Sequence, residues 1–196
     1  MQESLDRKLC EKYPKIFRDR HASMQQTAMC WGVAVGDGWY NIIDSVCGLI
    51  QHHINHTRNA RADTIKFNRA LKRARSGDKN GLMHYYTYEG ASPDWVHERV
   101  DEQIATATLR EVPDRCPQVV AVQVKEKLGG LRFYYDGGDN TIDGMIQMAE
   151  AMSYVTCEEC GSPGKSSRGG WIRVLCDTHR AKFEEDRRAQ FEVEPK

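Results

Sequence analysis

Residues 116–140 read CPQVVAVQVKEKLGGLRFYYDGGDN, and this stretch decides the fold. Val119, Ala121, Gln123 and Lys125 alternate with Val120, Val122, Val124 and Glu126, the period of a strand. Leu128-Gly129-Gly130 reads as a turn and Leu131–Tyr135 as a returning strand, so a β-hairpin is expected. Directly after it, DNTIDGMIQMAEAMSYV (139–155) places Ile142, Met145, Ile146, Ala149 and Met152 at helical spacing. Asp139 is the expected cap of that helix. Asp136 and Asp139 beside two glycines are explained by a turn plus this cap, with a divalent-metal or catalytic role as the alternative.

Working outward, LDRKLCEKYPKIF (5–17) predicts a short amphipathic helix, with Leu5, Leu9 and Tyr13 on one face, stopped before Pro14. Gly36-Asp37-Gly38 predicts a turn, with Asp37 capping the next helix. There Tyr40, Ile43, Val46, Cys47, Ile50 and Ile54 form a core stripe. TRNARADTIKFNRALKRAR (57–75) holds seven basic residues and one acid, so it is either a phosphate-binding face or a solvated one. Its apolar residues Phe67, Ala70, Leu71 and Ala74 recur at helical spacing, and Lys66, Arg69 and Arg73 fall on another face. Gly77 is the expected stop. MHYYTYEG (83–90) suggests a short strand. In SPDWVHERVDEQIATATLREV (92–112), Ser92 and Pro93 open a helix that buries Trp95, Val96, Val100 and Ile104.

At 196 residues and 40 per cent apolar content, the chain can build a core of ordinary size. Lys+Arg and Asp+Glu number 28 each, so any affinity for polyanions must come from a local patch. No apolar run reaches the roughly 20 residues that span a bilayer. The N-terminal MQESLDRKLCEKYPK is charged throughout and lacks a signal-peptide core, which predicts a cytoplasmic protein without a membrane partner. Seven cysteines, an odd number, argue against a disulfide framework in that compartment.

Cys157 and Cys160 form C-x2-C, Cys176 and His179 form C-x2-H, and fifteen residues separate the pairs. This spacing is that of small zinc ribbons and treble-clef-like knuckles, and it predicts a structural Zn2+. Four protein ligands would close the coordination sphere, whereas a catalytic zinc keeps a position for water. The intervening loop carries Lys165, Arg168, Arg173 and Trp171, with Arg180 just beyond. Cations around an aromatic platform suit phosphates and bases, so these residues, with Lys66, Arg69 and Arg73, are the expected anion-binding set. His52 and His56 stand one helical turn apart, but no H-E-x-x-H accompanies them. No Walker A, dinucleotide or nucleophile-elbow motif is present either.

QVKEKLGGLRFYYDGGD (123–139), the Met-rich helix, and SYVTCEECGSPG…GWIRVLCDTH (153–179) together resemble a set of uncharacterised bacteriophage and bacterial proteins. MCWGVAVGDGWYNIIDSVCGLIQHH (29–53) is similar to the phage members in particular. The resemblance spans Tyr13 to His53 and Gln118 to His179, and leaves 57–117 as a variable insertion. It implies a phage accessory protein in the host cytoplasm, acting on host machinery or host defence, and implies no enzyme activity.

The expected fold is α+β. It comprises a helical N-terminal part and a small antiparallel sheet packed by helices within residues 1–150, a zinc-ribbon-like module at 151–183, and a charged tail at 184–196 that is at most partly helical. The expected function is non-enzymatic binding of nucleic acid or a nucleotide. The alternatives are a protein–protein inhibitor or adaptor directed at a host protein, and a hydrolase using His52 and His56 or Asp136 and Asp139.

Overall fold

The computed structural model describes residues 1–167 and 172–192. In chain order its elements are α1 (Glu3–Lys12), β1 (Val33–Ala34), α2 (Tyr40–Arg75), α3 (Asn80–Tyr86), α4 (Pro93–Thr106), β2 (Val120–Lys127), β3 (Gly130–Asp136), α5 (Asn140–Ser153), β4 (Lys165–Ser166), β5 (Val174–Leu175) and α6 (Asp177–Glu192). The fold is α+β. The chain divides into two compact units, Met1–Ile54 with Pro117–Lys196, and Asn55–Cys116.

The hairpin of the first unit is present. β2 and β3 pair antiparallel from Val120↔Asp136 to Lys127↔Gly130, around a two-residue turn. Leu128 (φ 54°) and Gly129 (φ 76°) both adopt positive φ, the turn geometry whose twist matches that of the strands. The strict alternation expected in β2 fails at one point. Ala121 pairs with Tyr135 and Gln123 with Tyr134, so Val122 is an extra residue, a β-bulge. The bulge resets the pleat, and Ala121 and Val124, three apart, both face the core. Thr27 donates its hydroxyl proton to the Val122 carbonyl (3.2 Å), which gives the kinked backbone a partner.

β1 adds to β2 in parallel, Val33 opposite Val124, making a three-stranded mixed sheet that the hairpin pattern alone did not predict. Leu9, Ile16, Phe17, Trp39, Ile43, Val46 and Ile50 join Val124, Leu131, Phe133, Ile142 and Ile146 in burial. Asp139 caps α5 as expected, accepting from the Thr141 and Ile142 amides at 3.1 Å. Met152, expected inside, is 45 % exposed, because the buried face of α5 runs Ile142, Ile146, Ala149, Ser153. Ser153 repays its burial by donating to the Glu150 carbonyl (2.6 Å) and accepting from the Leu131 amide (2.9 Å). Asp37 does not cap α2. It lies in a short 3-10 turn, and its carboxylate accepts from the Gln2 amide at 2.7 Å.

Asp6 is a buried carboxylate with a full set of partners. It accepts from Arg20 Nε (2.8 Å) and from the Val33 amide (3.0 Å), while Arg20 also donates to the Cys30 carbonyl (3.1 Å). Asp6→Asn keeps an acceptor for Val33 and removes the charge facing Arg20. It is expected to cost about 2 kcal/mol, read from denaturant unfolding.

The second unit has a core of its own, built from Phe67, Ala70, Leu71, Ala74, Leu82, Val96 and Val100. Of the stretch expected as a strand, 83–90, the first half belongs to helix α3 and the rest is turn and loop. Leu82, Met83 and Tyr86 all turn toward this core, and a helix can gather positions i, i+1 and i+4 on one side whereas a strand sends i and i+1 to opposite faces. α4 opens as expected, with the Ser92 hydroxyl accepting from the Trp95 amide at 3.2 Å. Trp95 itself stands outside the buried stripe, 41 % exposed and edge-on to Tyr86 and Tyr88. The basic segment is the continuation of α2, with no break between the core stripe and the cations. α6 likewise carries the supposed tail as helix to Glu192. No helix among the described residues is long and apolar enough to cross a membrane.

Candidate metal centre and basic groove

Cys157 and Cys160 lie on a tight turn closed by the Gly161 amide donating to the Cys157 carbonyl (2.9 Å). Gly161 has φ +76°, a conformation that glycine adopts at no steric cost. The chain then runs through β4 and returns in β5, antiparallel to it. Cys176 follows β5, and His179 sits in the first turn of α6. The first ligand pair thus comes from a turn, and the second from the end of β5 and the start of α6.

The four side chains converge. Cys176 Sγ is 3.2 Å from His179 Nδ1, Cys157 Sγ is 3.6 Å from the same nitrogen, and Cys160 Sγ is 3.9 Å from Cys176 Sγ. All four ligand atoms lie within 4.8 Å of one another and could hold one metal ion. Burial pushes the Cys157 thiol up, and the backbone amides of Cys176, Cys160 and Glu159, which point at its sulfur, offset this only in part. The exposed Cys160 thiol is drawn down to about 6, chiefly by hydrogen bonds from the Ser162 side chain and backbone. The Cys160 arrangement suits a sulfur that binds as an anion.

The knuckle is fastened to residues 120 positions earlier by a segment that the sequence marked only as a turn. The Gly38 amide donates to the Glu158 carbonyl (2.8 Å), and the buried Trp39 donates its indole N–H to the Thr156 carbonyl (2.9 Å). The Gly36 amide donates to the Glu158 carboxylate (3.2 Å). Both glycines are set by contact. A Cβ on Gly36 would lie 2.3 Å from the Glu158 carbonyl oxygen, and one on Gly38 would lie 2.2 Å from that of Cys157.

Of the anion-binding set near the knuckle, Arg168 and Trp171 lie outside the described residues. Lys165 is exposed. Arg173 is turned inward: it pairs with Glu158 (3.3 Å) and Glu159 (2.5 Å) and lies over the Phe183 ring. Arg180 donates to the Lys165 carbonyl at 2.5 Å. Arg173 and Arg180 therefore brace the module.

The basic part of α2 divides by face. Arg61, Asn68 and Arg75, seven apart, hold the segment after α4: Arg61 donates to the Pro113 carbonyl, Asn68 exchanges bonds with Arg110, and Arg75 donates to the Ala107 carbonyl. Lys66, Arg69, Lys72 and Arg73 are exposed on another face. Among the described residues none of these four is paired with a carboxylate. With Asp63, Ala70, Gly81, His84 and Tyr85 they line an open groove of about 990 Å³. His84 and Tyr85 escape a reading of 83–90 as a strand, since only the helix turns them toward α2.

His52 and His56 are both exposed on α2. His53, on the same helix, has its Nε2 2.8 Å from Asp139 Oδ2. Asp136 is exposed at the end of β3. No family model matches the sequence, and no curated protein or solved structure matches it.

Proposed function

We propose that the chain is a non-enzymatic binding protein, braced by a structural Zn2+, whose ligand is a polyanion: nucleic acid or a nucleotide. The observation that carries the binding half is the groove formed by Lys66, Arg69, Lys72 and Arg73 with His84 and Tyr85. Four exposed cations that have no carboxylate partner among the described residues repel one another, and an anion between them relieves that repulsion.

The metal half rests on distances. Zinc–sulfur bonds of about 2.3 Å and zinc–nitrogen bonds of about 2.0 Å at tetrahedral angles place sulfurs about 3.8 Å apart and sulfur and nitrogen about 3.5 Å apart. The distances of 3.9, 3.6 and 3.2 Å lie close to those values. A three-thiolate, one-imidazole set is a donor set for zinc. Its four members fill the tetrahedron, so the ion cross-links the knuckle to α6 and leaves no position for water.

The test is titration of a fluorescein-labelled oligonucleotide, followed by anisotropy between about 20 and 200 mM salt. Affinity should fall steeply with salt. Each lost phosphate contact lowers the slope of log K against log salt by about 0.7–0.9, so the double variant Arg69→Gln, Arg73→Gln should lose about 1.5 of it. A slope unchanged in that variant, or no binding at the lowest salt, would overturn the proposal.

A further inference from the structure

Resting on the reading of the groove as a polyanion site, we propose further that its ligand is a single-stranded nucleic acid, one base of which stacks on Tyr85. The groove is polar along its length. Over the seven steps from Lys66 to Arg73, α2 advances about 10 Å, and four cations stand along that rise. At the other end stand Asp63 and Tyr85.

Tyr85 is 40 % exposed, yet its ring is held in place. It meets Phe67 edge-to-face at 5.7 Å, and its hydroxyl donates to the Asp63 carbonyl at 3.4 Å. Phe67 is in turn backed by the Arg110 guanidinium, 3.6 Å from its ring centre. A pre-positioned aromatic loses little freedom when a base stacks on it. The Asp63 carboxylate disfavours a phosphate at this end and can accept a hydrogen bond from a base amino group. Ala70 and Gly81 form the space between the walls: a Cβ on Gly81 would lie 3.4 Å from Ala70 Cβ, so α3 approaches α2 closely and no bulky side chain fills the floor.

This division of labour selects among anions. A free nucleotide gathers its phosphates at one point, whereas these cations are spread along a helix. A duplex offers spaced phosphates but keeps its base faces within the stack. A single strand offers spaced phosphates and accessible base faces together.

The experiment compares fluorescein-labelled dT12, the corresponding 12-base-pair duplex, and ATP as competitor, using the metal-loaded full chain at about 50 mM salt. Expected are a roughly ten-fold preference for dT12 over duplex and poor displacement by ATP. Tyr85→Leu should lose about ten-fold in dT12 affinity with its salt slope unchanged, while Tyr85→Phe keeps the affinity. If duplex or ATP binds as well as dT12, or if a folded Tyr85→Leu chain binds as tightly as the parent, the single-strand inference falls. In those cases, sensitivity to Arg69→Gln, Arg73→Gln would leave the polyanion reading standing. Absence of binding by all three probes would overturn both. Should Tyr85→Leu fail to fold, judged by its melting curve, the dT12-to-duplex preference of the parent chain decides alone.

Discussion

Cys157→Ser should unfold the knuckle and loosen the N-terminal segment bound to it. Zinc contributes about 10–16 kcal/mol to the folding of isolated finger peptides. Replacing a thiolate by a hydroxyl forfeits enough of this to cost the module more than about 5 kcal/mol. The module has little else to rely on: two-residue strands β4 and β5, and residues 161–167, most of which are exposed. The loss should then pass to the partners of Thr156 and Glu158. Trp39 gave its indole proton to Thr156, and Gly38 its amide proton to Glu158. Hydrogen exchange at Gly38, Gly161 and Gly164 should rise together, and the Trp39 indole N–H resonance should shift. Chelation of the unmodified protein should produce the same changes. Protection at Phe67 and Leu71, in the core of the second unit, should persist.

Gly38→Ala should be the most damaging single methyl group in the first unit. The new carbon would lie 2.2 Å from the Cys157 oxygen, 2.4 Å from the Gly161 nitrogen and 2.7 Å from the Cys160 nitrogen. These are backbone atoms of the ligand-bearing turn, and they cannot rotate away as a side chain would. Relief requires the knuckle to move off Trp39 or the ligands to leave their positions. The expected cost is about 3 kcal/mol, the upper end of the range for overpacking, a fall in melting temperature of about 6–12 °C for a chain of this length. Metal should also dissociate faster, measured by transfer to a chromogenic chelator. Gly144→Ala is the control. Nothing lies within 4 Å of the position a Cβ would take there, and a mid-helix alanine should be neutral or stabilising.

The hairpin, the α5 cap at Asp139, the Ser92-Pro93 opening of α4 and the convergence of Cys157, Cys160, Cys176 and His179 were all legible in the sequence. Each depends on residues close together in the chain, so spacing alone expresses it. What was not legible depends on distant pairs or on competition between local signals. The bulge at Val122 is set by the register of β2 against β3, which the alternation of one strand does not encode. Residues 83–90 are rich in aromatics that favour strands, yet Leu82, Met83 and Tyr86 pack together against the core of the second unit, which only a helix allows. Gly36 and Gly38 read as turn residues, and what fixes them is the approach of Glu158 and Cys157. Arg173 read as a free cation because the two acids that hold it, Glu158 and Glu159, lie across the hairpin. The division of the basic helix into a bracing face and a groove face follows its periodicity only once the segment after α4 is seen to occupy one side.

The most direct test of the metal centre is zinc analysis of protein purified without chelator, combined with X-ray absorption at the zinc edge. The expected result is one zinc per chain, with about three sulfurs at about 2.3 Å and one nitrogen at about 2.0 Å. Protein that carries no metal yet keeps protected amides at Gly38 and Gly161, or a zinc shell containing oxygen from water, would contradict it.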